Sequence, residues 1–171
     1  MARNVRKSLC QKEGALSYES ATKKDFSECI ELCARCNVHV VTWLAKVFKK
    51  RMHELCGVVR NEQGKIIACD FFMFQESEYG QGIIHEIYLA VAPEYRGMGI
   101  STKLRRFSIM CYDNHVLKGM STLAPFNEVK VIRSAQHCGY AILKSSAKPP
   151  AYYLFRQLTP LSATSINFQS K

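Results

Sequence analysis

The segment from Ile84 to Leu104 constrains the fold more than any other. An apolar run, Ile84 to Val91, leads through Ala92-Pro93-Glu94-Tyr95 into Arg96-Gly97-Met98-Gly99-Ile100-Ser101, and residues at amphipathic helical spacing follow at once. The junction therefore reads as strand, glycine-rich turn, helix. Such a junction can hold a pyrophosphate. Gly97 and Gly99 let the backbone approach a ligand closely, and the first helical turn offers amide N–H groups without intrahelical partners at the positive end of its dipole. Arg96 adds a formal charge beside them. Two familiar nucleotide loops do not fit: Lys103 follows Thr102 instead of preceding a Ser or Thr, and position 102, where a dinucleotide fingerprint needs a third glycine, is threonine.

A chain of 171 residues is one ordinary domain, able to bury about 70% of the surface its unfolded form exposes. With 47% hydrophobic and 22% charged residues it is globular in composition. The longest apolar stretch, Val38 to Phe48, is interrupted by Lys46 and is too short to cross a bilayer. Met1 to Gly14 is polar and basic with no apolar leader. The expectation is a cytoplasmic protein without a membrane partner. Net charge is +10, clustered at Arg3/Arg6/Lys7, Lys46/Lys49/Lys50/Arg51 and Lys103/Arg105/Arg106, so an anionic partner is expected, with nucleic acid among the options. The same charge counts against a highly cationic substrate.

Eight cysteines, mostly in apolar contexts, suggest a reducing compartment. Cys29, Cys33 and Cys36 have the spacing of an iron–sulfur triplet. They also follow a helix start at Lys24-Asp25 and share one face with Phe26, so they are assigned to a helix core, with no metal site.

Strands are expected at Ala15 to Ala21, Leu55 to Arg60, Lys65 to Gln75, Ile84 to Val91, Gly119 to Ala124, Tyr140 to Lys144 and Tyr152 to Leu158. Helices are expected at Asp25 to Arg35, Val38 to Lys50, Gly99 to His115 and Asn127 to His137. Ile100, Leu104, Phe107 and Cys111 point inward on the third helix, with Lys103, Arg105 and Arg106 on its outer face. Trp43 is placed in a helix core, Glu76 to Gln81 in a turn, and Ser145 to Pro150 in a Pro-Pro loop. Residues 1–14 form a loose basic segment, 15–158 a single domain and 159–171 a polar, mobile tail.

Arg96-x-x-Gly99-x-Ser101 after a strand ending in Leu89-Ala90-Val91 resembles the acetyl-CoA signature of the GNAT superfamily of N-acyltransferases. Its last position is usually Gly or Ala, so Ser101 is a small departure. A second stretch, Asn127-Glu128-Val129 through Cys138-Gly139-Tyr140, resembles the family's asparagine-initiated helix ending in Gly-aromatic, although here it is one residue longer than in many members. The order of elements from Ala15 to Leu158 is also similar to that of the whole family fold. This implies an α/β architecture with a mixed, mostly antiparallel central sheet of about seven strands flanked by about four helices.

The resemblance implies transfer of acetyl from acetyl-CoA to a primary amine by direct attack in a ternary complex. It implies that backbone groups of Leu89 and Val91 hold the pantetheine arm, with the Leu89 amide polarising the thioester carbonyl and stabilising the tetrahedral oxyanion. Amides of Met98, Gly99, Ile100, Ser101 and Thr102 would receive the pyrophosphate, with Arg96 near by, Gly97 completing the turn and Asn127 bonding the cofactor's arm. The attacking amine must be neutral, so a base is needed. His85 and Glu86 lie where members place it, alternation sends them to opposite faces unless a bulge intervenes, and both are candidates. Ala135 stands where many members have a tyrosine that protonates the leaving thiolate; Ser134 adjoins it, and water is the other option. Binding of acyl-CoA or nucleic acid without turnover, or acetylation of RNA or DNA, is the alternative reading. The family often dimerises through sheet edges, so a homodimer is allowed.

Overall fold

The computed structural model describes residues 5–160. Arg3 of the first basic cluster, and the tail from residue 161 onward, lie outside the described residues. Strand β1 (Cys10–Glu13) turns at Gly14 into β2 (Leu16–Ser20), and helices α1 (Phe26–Arg35) and α2 (Thr42–Leu55) follow. Next come β3 (Cys56–Arg60), β4 (Ile66–Met73), a single turn α3 (Glu76–Tyr79) and β5 (Ile83–Val91). Helix α4 (Ile100–Tyr112), β6 (Gly119–Pro125), α5 (Val129–His137), β7 (Ala141–Ala147) and β8 (Pro150–Gln157) complete the chain. The strands form one sheet in the order β1-β2-β3-β4-β5-β6-β8-β7. Among the described residues only β5 and β6 run parallel, joined by the α4 crossover; the other neighbours are antiparallel.

The mixed, mostly antiparallel sheet agrees with the expected fold class, with one strand more than the seven expected and with α3 as an extra helical turn. The additional strand, β1, falls in the segment read as loose. Its residues alternate in hydrogen bonding with β2, and Arg6 just before it is buried, donating to Ser20 Oγ (3.3 Å) and Ser108 Oγ (3.2 Å). The Pro-Pro loop is also shorter than expected, because β7 continues through Ser145 and Ser146 to Ala147 and β8 already starts at Pro150. The second helix begins four residues later than Val38 and runs to Leu55.

The core lies on both faces of β3, β4 and β5. Cys29 and Cys33 face it from α1, and Cys33 Sγ lies 3.9 Å from Cys69 Sγ on β4, so these two cysteines are core as expected, while Cys36 at the end of the stripe is half-buried. Leu44, Phe48 and Met52 do the same from α2, with Phe48 packed 4.6 Å from the ring of Phe71. Trp43, by contrast, is 60% exposed: Leu44 and Phe48 define the inward stripe of α2, and position 43 falls beside it. On the opposite face α4 buries Ile100, Leu104, Phe107 and Cys111.

Arg105 departs from its expected place on the outer face of α4. It is 2% exposed, because its fork is satisfied by a buried carboxylate on β5. Helical spacing reports where a side chain starts and carries no information about a partner five strands into the sheet.

Candidate active site

The two parallel strands at the centre do not stay together. β5 and β6 pair from Ile83/Gly119 to Glu86/Thr122 and then part, β5 continuing to Val91 against β4 while β6 continues to Pro125 against β8. A bulge contributes to the parting: Phe71 pairs with Tyr88 but Phe72 pairs with Glu86, so Ile87 is passed over. The Thr122 hydroxyl donates to the Glu86 carbonyl at 3.2 Å and closes the last step before the gap. The result is a V-shaped slot of about 210 Å³, with Ile87 and Leu89 on one wall, Leu123 on the other and Ser101, Lys130 and Ser134 above.

The hydrogen-bond phase of β5 decides what faces this slot. The Ala92 amide donates to the Ile67 carbonyl (2.8 Å), so in the antiparallel ladder Ala92 and Ala90 direct their main-chain groups at β4. The groups of the alternate residues, Leu89 and Val91, are therefore directed to the side where β6 has departed. The Val91 carbonyl is partly taken by the protein itself, accepting from Arg96 Nε (3.1 Å) and Cys36 Sγ (3.3 Å). Arg96 thus folds back onto the strand, and its remaining guanidinium donors stay at the exposed loop.

The mouth of the slot is the start of α4. Pro93 to Tyr95 form a short 3₁₀ turn, and Gly97 and Gly99 then take φ of 78° and 74°, a left-handed backbone that side chains resist. A Cβ built on either glycine meets nothing within 4 Å, so the space over the turn is open. Gly99 is the N-cap, and the first intrahelical bond runs from the Lys103 amide to its carbonyl (3.1 Å). No side chain caps this helix among the described residues, which leaves the amides of Gly99, Ile100, Ser101 and Thr102 directed outward. Met98 is exposed at the same loop. Asn127 sits in the exposed turn before α5, whose N-cap is Glu128, so it does not start that helix. Ala135 is fully buried, while Ser134 beside it accepts from Arg105 Nη1 (2.7 Å) and is 2.9 Å from Thr102 Oγ1.

His85 and Glu86 do lie on opposite faces, and both are buried. Glu86 faces α4, where Arg105 holds it in a fork, Nε to Oε2 at 2.9 Å and Nη2 to Oε1 at 2.5 Å. His85 faces the other way, its Nδ1 2.8 Å from Ser121 Oγ on β6. Burial lowers its pKa below the ordinary histidine value, partly offset by Glu78 and Glu86, so the ring is neutral at pH 7. Sequence reasoning missed Glu78, within the segment Glu76 to Gln81 read as a turn. It is 5% exposed, and its Oε1 accepts from Ser121 Oγ (2.7 Å) and Tyr153 Oη (2.6 Å). Glu78 and Tyr153 line a second cleft of about 510 Å³ on this face, which meets the slot at Leu123.

Residues 21–110, more than half of the chain, match the model of the Acetyltransferase (GNAT) family. No curated protein matches the sequence. Among solved structures, the fold is similar to that of a NatC complex bound to Gag peptide and CoA (TM-score 0.72, 16% identity, 84% of this chain and 99% of that one). It is also similar to Ard1 from Thermoplasma volcanium (TM-score 0.69, 14% identity, 85% and 99%) and to a mutant spermidine N-acetyltransferase from Vibrio cholerae (TM-score 0.68, 14% identity, 85% and 95%). A mixed sheet opened beside an uncapped, glycine-turned helix, together with a family match that runs through β5 and most of α4, makes this chain a member of the GNAT acetyltransferase family.

Proposed function

We propose that this protein is an N-acetyltransferase that moves acetyl from acetyl-CoA to a primary amine by direct attack in a ternary complex. The observation that carries the reading is the slot between β5 and β6, opening onto the uncapped start of α4. Its residues fit the cosubstrate: four outward amides and Arg96 suit a diphosphate, the open space over Gly97 and Gly99 admits it to the backbone, and the strand groups of Leu89 and Val91 suit an amide-bearing arm. Acetyl-CoA, when bound, supplies an acetyl group activated as a thioester. The Leu89 N–H then polarises the carbonyl from a rigid strand, at no reorganisation cost.

The acceptor enters from the second cleft, which meets the slot at Leu123. His85 is the base: its ring is neutral, and it lies behind Ser121 and Glu78 on the face of the sheet that carries the second cleft, so the proton reaches it through water. Glu86 is committed to Arg105 through both oxygens, and we assign it to holding α4 against β5. Two of the similar structures, a spermidine N-acetyltransferase and a complex with Gag peptide and CoA, are consistent with amine acetylation.

Isothermal titration with CoA tests the site. We expect saturable binding that Gly99→Glu weakens by about 1–3 kcal/mol, roughly 5- to 150-fold, because a carboxylate replaces open space before the amides. Absence of CoA binding, or equal binding by the variant, refutes it. Release of CoA with a panel of amines, and with RNA, then identifies the acceptor.

A further inference from the structure

Each hydroxyl around Glu78 has one proton, and that arithmetic determines where the proton of His85 sits. Ser121 Oγ donates to Glu78 Oε1, and Tyr153 Oη donates to the same oxygen. Ser121 therefore has no proton left for the imidazole, 2.8 Å away, and can only accept from it. A neutral ring that donates from Nδ1 has its lone pair on Nε2, for which the described residues provide no hydrogen-bond partner.

The second carboxylate oxygen adds to this. Glu78 Oε2 is buried without a hydrogen-bond donor and lies 3.7 Å from His85 Nδ1, too far for a bond to the neutral ring but close enough to feel its charge. The groups facing His85 are Glu78 from α3, Ser121 from β6 and, through Glu78, Tyr153 from β8; Met73 is its register partner on β4 and Glu86 its neighbour on β5. Tyr153 keeps its proton, with burial and then the bond to Glu78 raising its pKa to about 12.

We propose that Glu78, acting through Ser121, holds His85 in the Nδ1–H tautomer, so that Nε2 is the proton acceptor and Oε2 is the countercharge for the imidazolium. This rests on His85 as the base of the acyl transfer proposed above. In the step, the neutral amine nitrogen bonds to the thioester carbonyl carbon and loses a proton, which reaches Nε2 by way of water while Nδ1–H remains in place; the C–S bond then breaks, CoA leaves as a thiolate that takes a proton from water, and the imidazolium returns its proton to the solvent. Glu78 and Ser121 are positioning residues, which act on the reaction through His85.

Long-range ¹H–¹⁵N correlations on the full chain with labelled histidine read the tautomer without any acceptor, and loss of signal in His85→Gln assigns one ring among the five histidines. We expect Nδ1 protonated and Nε2 bare in the unmodified protein. Ser121→Ala should move the proton toward Nε2, with Ser121→Thr restoring it. Glu78→Gln should keep the tautomer but lower the His85 pKa by about one unit or more. In turnover with acetyl-CoA, Ser121→Ala should lose about tenfold or more in kcat with little change in KM for acetyl-CoA. A proton found on Nε2 in the unmodified protein, or a tautomer unmoved in a folded Ser121→Ala, overturns the relay. Failure of CoA to bind overturns the acyltransferase reading while leaving this spectrum as it is, so the two failures are distinguishable.

Discussion

Arg105 and Glu86 join α4 to β5 inside the protein, and each would be costly without the other. Both side chains are almost fully buried, and the guanidinium fork also reaches Ser134 on α5, so one residue pins two helices to the central strand. Burial of Arg105 raises no question of its charge, since Glu86 keeps the guanidinium protonated by coulombic attraction and hydrogen bonding against the desolvation cost. Arg105→Ala leaves an unpaired buried carboxylate and should cost about 3–5 kcal/mol, whereas the double replacement Arg105→Met/Glu86→Leu should recover most of it. Urea unfolding of the two variants checks this: midpoints that differ little would show that Glu86 finds another partner.

At the level of elements, β1 and the residues before it clasp the sheet to α4. Arg6 bonds Ser20 and Ser108, Ser108 donates to Asp70 Oδ2 at 2.6 Å, and the Gly57 amide donates to Asp70 Oδ1 at 2.9 Å. Even with these partners, burial dominates and raises the Asp70 pKa to about 6, while Arg6 acts to lower it. A carboxyl with a raised folded-state pKa binds more protons folded than unfolded. Its contribution to stability is therefore largest below about pH 4, declines as pH rises through about 6, and levels off about one unit higher, where both states are ionised. Unfolding midpoints across that window should show a falling component that Asp70→Asn abolishes. Arg6→Ala should extend the decline to higher pH than in the unmodified protein, because the lowering charge is removed. It should also reduce the thermal midpoint by roughly 4–12 °C, taking about 2–3 kcal/mol of loss at about 2–4 °C per kcal/mol. An unchanged midpoint would mean that the N-terminal clasp adds nothing to the fold.

Across the whole molecule, function follows from one departure from regular pairing. A sheet that closed fully between β5 and β6 would satisfy Leu89 and Val91 internally and leave nothing for a ligand arm; the bulge at Ile87 and the divergence after Glu86/Thr122 prevent that. Filling the gap should act like removing the site: Leu123→Trp, at the wall shared by both clefts, should weaken CoA binding by about tenfold or more with little loss of stability, since Leu123 is 47% exposed. Titration calorimetry and a thermal melt on one sample would check both halves. The strand–Gly97–Gly99–helix junction was legible in the letters, because glycine at left-handed φ, a proline turn and amphipathic spacing are local properties. The core stripe of α1 and the alternation that parts His85 from Glu86 were legible for the same reason. What only the tertiary structure decided is which partner each polar side chain meets. Arg105 looked solvent-facing until Glu86 was placed under it, β1 looked loose until β2 and α4 received it, and Glu78 looked like part of a turn until β6 and β8 brought Ser121 and Tyr153 to its carboxylate. Periodicity encodes a direction from the chain's own axis, whereas ion pairs and proton relays depend on distances between segments far apart in sequence, which no local pattern contains.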